Sequence, residues 1–436
     1  MNLEFPDADV LRDANDYTVD DLPRFALARR ERDLEHVDDV EDAARRAVDD
    51  IEAFDSLPDG AEVAVTAGSR GIHDMPATLA AAVDELQRRG YDPFILPAMG
   101  SHGGATAEGQ RETLEALGIT PEAMGCEIRS SMAVAAVGED SLGRAVYAAE
   151  GALEADAVLL ANRVKVHTDF NGAVESGLSK IAVIGLGKHR GAESLHNAAI
   201  ATDFSDVIRD RRDVLLAETP IVGGIALIEN AADQAAHIEG INAEAIPDRE
   251  PELLELAREY FPQLPVDDLD VLVVDEAGKD KSGTGMDTNV LGRYQFHGED
   301  EPESPSITRV YARSLTEPSH GNALGVGLAD FVHREFVEDI DFGDTYVNIV
   351  TSGETDRAKI PFVVPDDATA LLLACSTTGV AGPGELRVAR IPSTMEPDTP
   401  VVSEPVAEEL AGRDDVSVGP LEPLSFDDGE LPPDPY

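Results

Sequence analysis

Short apolar runs that end in glycine-rich turns alternate along the chain with longer stretches whose apolar positions recur at helical spacing. This alternation is the pattern of an α/β protein. Residues 62–67 (EVAVTA), 94–99 (FILPAM), 157–162 (AVLLAN), 181–186 (IAVIGL) and 221–228 (IVGGIALI) read as strands. Helices are predicted over 75–89, following Asp74 as N-cap, and over 105–117, ended by Gly118. A short polar side chain satisfies the first unpaired amides of a helix, and glycine accepts the left-handed turn that closes one. From 243 to 263 a helical stretch rich in Glu and Leu runs into FPQLP, and a new strand, 270–275 (DVLVVD), begins. A length of 436 residues is long for one core, so two α/β domains are expected, 1–265 and 266–436, with the site in the cleft between them. In the second domain strands are predicted near 308–315, 345–351 and 386–392, and helices near 322–338 and 366–374. The tail from 421, with its prolines and acids, reads as surface-laid or disordered. No internal repeat stands out.

Charge narrows the function. Asp and Glu number 86 against 34 Lys and Arg, a formal net charge of −52. A field of that sign repels phosphate backbones and anionic headgroups, which argues against nucleic acid and membrane surfaces as partners. The acids are spread along the whole chain, and arginine is kept while lysine is almost dropped. That composition suits a surface hydrated in concentrated salt, so a halophilic host is expected, with a fold weakened at low ionic strength. The start, MNLEFPDADVLRD, is acidic and lacks a charged-then-apolar signal pattern, and apolar runs such as 368–375 are far too short to cross a bilayer. A soluble, cytoplasmic protein is expected, and an oligomer is compatible with the sequence. Cys126 and Cys375 form neither a disulfide framework nor a CxxC knuckle and read as small buried hydrophobes.

Only six lysines occur, and five of them lie within residues 165–188 and 279–281. In open α/β sheets ligands bind beyond the carboxyl ends of the strands. The residues there are Gly68-Ser69-Arg70-Gly71, then Gly100-Ser101-His102-Gly103-Gly104, then Arg163-Val164-Lys165-Val166-His167. The run 181–186 is preceded by Ser176-Gly177-Leu178-Ser179-Lys180 and followed by Gly187-Lys188-His189. Such a set can bind an anion, move protons and hold a cofactor. Plainer readings stand beside this one. Glycines beside His102 equally serve a tight turn, and Lys165 and Lys188 equally bind phosphate or pair with a carboxylate. His189 and His196, seven apart, share a helix face but lie ~10 Å apart along the axis, too far for one metal ion, so at most one of them is a ligand. His36, His237, His297 and His333 sit in ordinary polar contexts and read as surface residues. There is no GxxxxGK[ST] and no HExxH, and the run GLGKHRG at 185–191 is too weak a glycine pattern to support a dinucleotide by itself.

Three segments carry a resemblance: PAMGSHGGATAEGQ (97–110), NRVKVHTDFNGAVESGLSKIAVIGLGKHRGAESLH (162–196) and DEAGKDKSGTGMD (275–287). They resemble the nickel-dependent lactate racemase superfamily, in its broad branch of 2-hydroxyacid racemase-like proteins, and the likeness spans both expected domains. The resemblance implies a nickel pincer nucleotide attached to a lysine through a thioamide, and Lys180 matches that lysine. It implies a histidine completing the nickel coordination, matched by His196, and two proton-transferring histidines flanking the substrate, matched by His102 and His167. Arg70 matches the arginine that holds the substrate carboxylate, with Lys279 of the second domain a further candidate.

The implied activity is racemisation or epimerisation of a small 2-hydroxy acid, lactate-like or a longer sugar acid. The α-hydrogen of such an acid is too weakly acidic to leave easily as a proton, so it departs as hydride to the cofactor while one histidine takes the hydroxyl proton. Two histidines serve the two enantiomers, a bidentate arginine fixes the carboxylate for both, and soft sulfur with imidazole suits nickel. The stretch from His167 to Lys180 is longer than in the lactate enzymes, and Gly177-Leu178-Ser179 stands in place of their paired glycines, which leaves the substrate open. His320, in LTEPSHGNALG (315–325), either faces the cleft or belongs to an ordinary N-terminal cap. The implied partners are the hydroxy acid and, transiently, cofactor-synthesis enzymes. Two other readings stay open: an oxidoreductase that releases the keto acid, and a cofactor-free hydroxy-acid binding protein.

Overall fold

The computed structural model describes residues 5–14, 16–32, 34–69, 71–199, 203–297, 300–433 and 435, with the backbone alone for 196–199 and 351–352. The chain is mixed α/β and divides into two compact units, one of residues 34–261 and one of residues 1–33 with 262–436.

The unit 34–261 is built on a five-stranded sheet in the order Asp92–Pro97, Glu62–Ala67, Ala157–Arg163, Ile221–Glu229, Ala235–Asn242. The first four strands are parallel, with Ala67 opposite Pro97 and Arg163 opposite Leu227, so their carboxyl ends share one edge. The last strand is antiparallel. Alternate side chains feed two cores. Val63, Val65, Ile95, Leu159, Ile225 and Leu227 face one way, with the helices Val40–Asp49 and Met75–Arg88. Ala64, Phe94, Leu96, Leu160 and Ala226 face the other, with Phe204–Glu218 and Ile246–Tyr260. Burial on both faces is why these strands are near-continuous apolar runs rather than alternating ones. From Glu62–Ala67 the chain goes first to one neighbour, Asp92–Pro97, and later to the other, Ala157–Arg163. The direction of winding thus reverses at this strand, and the crevice beyond a reversal is where open α/β sheets take their ligands.

The run 181–186 reads as a strand but is a helical turn. Leu178–Lys180 begins a helix that widens over Ile181–Gly185, where the Leu186 N–H donates to the Ile181 carbonyl five residues back at 2.9 Å. A short apolar run is compatible with a strand or a buried helix alike, and tertiary contacts decide. Here the decisive contact is Glu250, which accepts the Ser179 N–H at 3.0 Å and the Ser179 hydroxyl, and so caps the turn.

The unit of 1–33 and 262–436 carries an eight-stranded sheet in the order Phe362–Val364, Phe331–His333, Ser306–Leu315, Asp268–Ala277, Val388–Ile391, Val401–Ser403, Phe25–Arg30, Val416–Val418. Residues 1–33 are expected with the first domain. The structure puts them here, because Phe25–Arg30 pairs antiparallel with both Val401–Ser403 and Val416–Val418. Further expectations for this unit are corrected. Residues 345–351, rich in β-branched side chains, lie in the helix Phe342–Ser352, which Asp341 caps at 3.0 Å and Gly353 ends in the left-handed region at φ +87°. The stretch 322–338 is broken by Gly325 at φ +95°, and holds the strand Phe331–His333 before the helix Arg334–Glu338. His333 is buried, accepting the Glu335 N–H on Nδ1 and lying 3.2 Å from Glu430 through Nε2. The tail is docked at Leu431, whose side chain is buried and whose N–H donates to Asp367 at 2.8 Å. Among the described residues no helix is long and apolar enough to cross a membrane.

Candidate functional site

The strand ends of the unit 34–261 bring three segments together. After Ala67, Ser69 Oγ lies within hydrogen-bonding reach of His102 Nδ1, so the first and second strand-end turns touch. After Pro97 the chain turns through Gly100, at φ +60°, and its N–H approaches the Gly185 carbonyl at 3.4 Å. A methyl group on Gly185 would stand 2.6 Å from the Ala98 carbonyl oxygen, and one on Gly100 would stand 3.0 Å from Ile184 Cγ2. The loop bearing His102 is thus seated directly on the turn that carries Lys180, and glycine at both positions is what lets the backbones approach.

After Arg163, Lys165 and Ser176 exchange backbone hydrogen bonds at 3.0 and 3.2 Å, closing a loop that holds His167 and Phe170. The His167 and Phe170 rings stack with centroids 4.4 Å apart, and Phe170 stacks in turn on Phe204 at 4.8 Å. The Lys180 ammonium lies over the same Phe170 ring, 5.8 Å from its centroid, within cation–π range. His167 Nδ1 accepts the Asp169 N–H at 3.1 Å. An amide only donates, so the neutral ring carries its proton on Nε2. The Asp169 carboxylate is 3.7 Å from the same Nδ1, too long for a hydrogen bond.

Each of these residues is held by a buried polar side chain that has no local signal in the sequence. Glu175, 1 % exposed at its side chain, accepts the His167 N–H at 2.6 Å, the Gly172 N–H at 3.2 Å and Arg258 at 2.5 Å. Burial raises its carboxyl above the usual range, and these donors offset part of that shift. Glu250, also buried, grips Ser179 immediately before Lys180, and burial raises its carboxyl too, against the Ser179 bonds. A methyl group on Gly177 would strike Glu250 Oε1 at 2.2 Å, so the run Gly177-Leu178-Ser179 is shaped to admit that carboxylate. Beneath the His102 loop, buried Gln110 donates to the Gly100 carbonyl at 2.9 Å and approaches that of His102 at 3.5 Å.

Lys188 is buried and donates to the Pro97 carbonyl and, at 3.0 Å, to Gln110 Oε1. Both acceptors are neutral, in contrast to the expected phosphate or carboxylate partner, and desolvation pushes the amine down to about 8. A sequence pattern displays a histidine beside glycines, but it cannot display a buried partner contributed by a distant helix.

Arg70 lies outside the described residues, as does the side chain of His196, whose backbone belongs to the helix Lys188–Ala199. His189, on the same helix, is exposed. Lys279 belongs to the other unit, where its N–H donates to Ser319 Oγ at 2.8 Å and its Nζ to the Gly283 carbonyl at 2.5 Å. Lys281 pairs with Glu276 at 2.9 Å. His320 is exposed and ends the short turn Glu317–Ser319 at φ +49°, which makes it a C-cap rather than an N-terminal one.

Searches by sequence find no matching protein-family model and no matching curated protein. Comparison of structures does find a relation. The chain is similar in fold to the lactate racemase apoprotein from Thermoanaerobacterium thermosaccharolyticum, with a TM-score of 0.50 at 14% identity over 83% of this chain and 93% of that one. The fold is therefore of the lactate racemase type. A second structure, O-ureido-L-serine synthase, aligns at 14% identity over 87% of this chain and 92% of that one, and its TM-score of 0.15 carries no argument.

Proposed function

We propose that the chain is an isomerase, a racemase or epimerase of a small 2-hydroxy acid that uses a nickel pincer nucleotide tethered to Lys180. The observation that carries the reading is the shared ring of Phe170, against which His167 stacks and over which the Lys180 amine lies, on a turn packed against the His102 loop. The fold shared with a lactate racemase supports the same class of reaction. Among the described residues no three His, Cys, Asp or Glu side chains gather as a metal site. A cofactor that brings its own sulfur and carbon donors asks the protein for one imidazole, the role assigned to His196, and for one amine. The partly exposed Lys180 suits the latter.

When bound, the cofactor supplies an electrophilic carbon that takes up and returns the α-hydrogen of the substrate. The chain's own residues bind, orient and move protons. His167 is assigned to the hydroxyl proton, and since its Nδ1 accepts the Asp169 N–H, taking up that proton requires Nδ1 to be released from the amide. His102, whose Nδ1 faces a hydroxyl that donates or accepts, is open to either tautomer and takes the equivalent role for the other enantiomer. Arg70 is assigned to the substrate carboxylate, and Lys279 is a second candidate for it.

The test is to purify the protein from a salt-accumulating host that makes the cofactor, then measure nickel content and the mass of the peptide bearing Lys180. Stoichiometric nickel, a heavy adduct on Lys180 and interconversion of hydroxy-acid enantiomers are expected. An unmodified Lys180 without nickel from such a host would overturn the reading. Accumulation of keto acid instead of the second enantiomer would make the protein an oxidoreductase.

A further inference from the structure

Lys188 is an unusual core residue: a fully buried lysine, at φ +52°, whose ammonium faces the Pro97 carbonyl and the Gln110 amide oxygen. An ion taken from water costs several kcal/mol unless a counter-charge offsets it, and a methionine of similar length would fill the same space without that cost. Stability is a poor reason for such a lysine. What the amine does that methionine cannot is select the orientation of an amide. A lysine only donates, so the Gln110 atom facing it must be Oε1, and Nε2 is left to face the carbonyls of Gly100, at 2.9 Å, and His102, at 3.5 Å. The charge also polarises the amide and strengthens the bonds it donates.

The loop so held is tightly specified at other points. His102 N–H donates to the Met99 carbonyl at 3.1 Å, and a methyl group on Gly103 would stand 2.5 Å from Gln110 N, so loop and helix start are in backbone contact.

We infer that Lys188 and Gln110 form a buried two-residue relay that positions His102 for proton transfer. Lys188 sets the amide of Gln110, and the amide pins the backbone on both sides of Ser101. Neither residue is assigned contact with the substrate; they act through the loop. The inference rests on the role proposed for His102.

Gln110→Glu separates positioning from packing. It keeps the shape and offers Lys188 a carboxylate, while replacing the donor that faces Gly100 and His102 with an oxygen that repels both carbonyls. The variant is expected to match or exceed the wild-type melting temperature. In the apoprotein its His102 ring signals in 15N–1H spectra should move, and in the cofactor-loaded enzyme kcat should fall by ~10-fold or more with KM changed far less, since small displacements of a reacting group are costly. A folded Gln110→Glu protein with unmoved His102 signals and wild-type kcat overturns the inference. Should that variant not fold, Lys188→Met, which frees the amide of Gln110 to turn, supplies the same two readouts with the same expectations. Absence of racemisation by the loaded wild type would refute the proposed function instead, and the His102 signals of the apoprotein report on the relay in either case.

Discussion

Replacing Lys188 by methionine tests how the buried amine couples to folding. Desolvation brings the folded-state value from the ordinary lysine 10.5 to about 8, with the side chain fully buried. Every tenfold loss of proton affinity corresponds to ~1.4 kcal/mol, so holding the ammonium inside costs the fold about 3 kcal/mol below the lower value. Between about pH 8 and 10.5 the unfolded chain keeps a proton that the folded protein has released. Stability therefore rises with pH through this window and the penalty is gone above it. Methionine removes this dependence along with the two hydrogen bonds, whose loss adds an offset independent of pH. Urea unfolding of both proteins in molar KCl, at half-unit steps from pH 7 to 10.5, gives the difference in unfolding free energy while the titration of every other group cancels. The wild type should gain about 3 kcal/mol on the variant across that range. A difference that stays flat refutes the reasoning, because it would mean the amine is hydrated or paired and titrates as an ordinary lysine.

Gly185→Ala should lower stability by ~1–3 kcal/mol and reduce turnover, because the added methyl stands 2.6 Å from the Ala98 carbonyl and must part the Lys180 turn from the His102 loop; chemical denaturation at wild-type midpoint would contradict this contact. Glu175→Gln takes the buried carboxylate from Arg258, leaving it the exposed one of Glu255, and turns a donor toward at least one of the three groups now bonded there, so a loss of ~1–3 kcal/mol in unfolding free energy is expected, with weaker stacking of His167. Unchanged stability would mean the carboxylate is dispensable to the loop. The net charge of −52 predicts a melting temperature that climbs between dilute buffer and molar KCl as salt screens the repulsion, and a melting temperature that stays level would count against a halophilic design.

Much of the unit 34–261 is legible in the chain itself. Its strands at Glu62–Ala67, Ala157–Arg163 and Ile221–Glu229 are apolar on both faces, and a run buried on both faces advertises itself without reference to neighbours. The glycine-flanked His102 is visible as chemistry because it stands at a strand end, where parallel sheets put their ligands, and the run bearing Lys180 is visible because lysine is so scarce elsewhere in the chain. Other features depend on partners distant in sequence. Whether Ile181–Gly185 is strand or helix is decided by the carboxylate of Glu250, which grips Ser179 from a helix far along the chain, and by backbone contact with Ala98. Residues 1–33 join the C-terminal unit because an edge strand accepts whichever chain segment offers matching hydrogen bonds. The supports of the candidate site, Glu175, Glu250 and the Lys188–Gln110 pair, carry no periodicity of their own. A buried polar group is defined by the donors and acceptors around it, and only the folded chain brings those together.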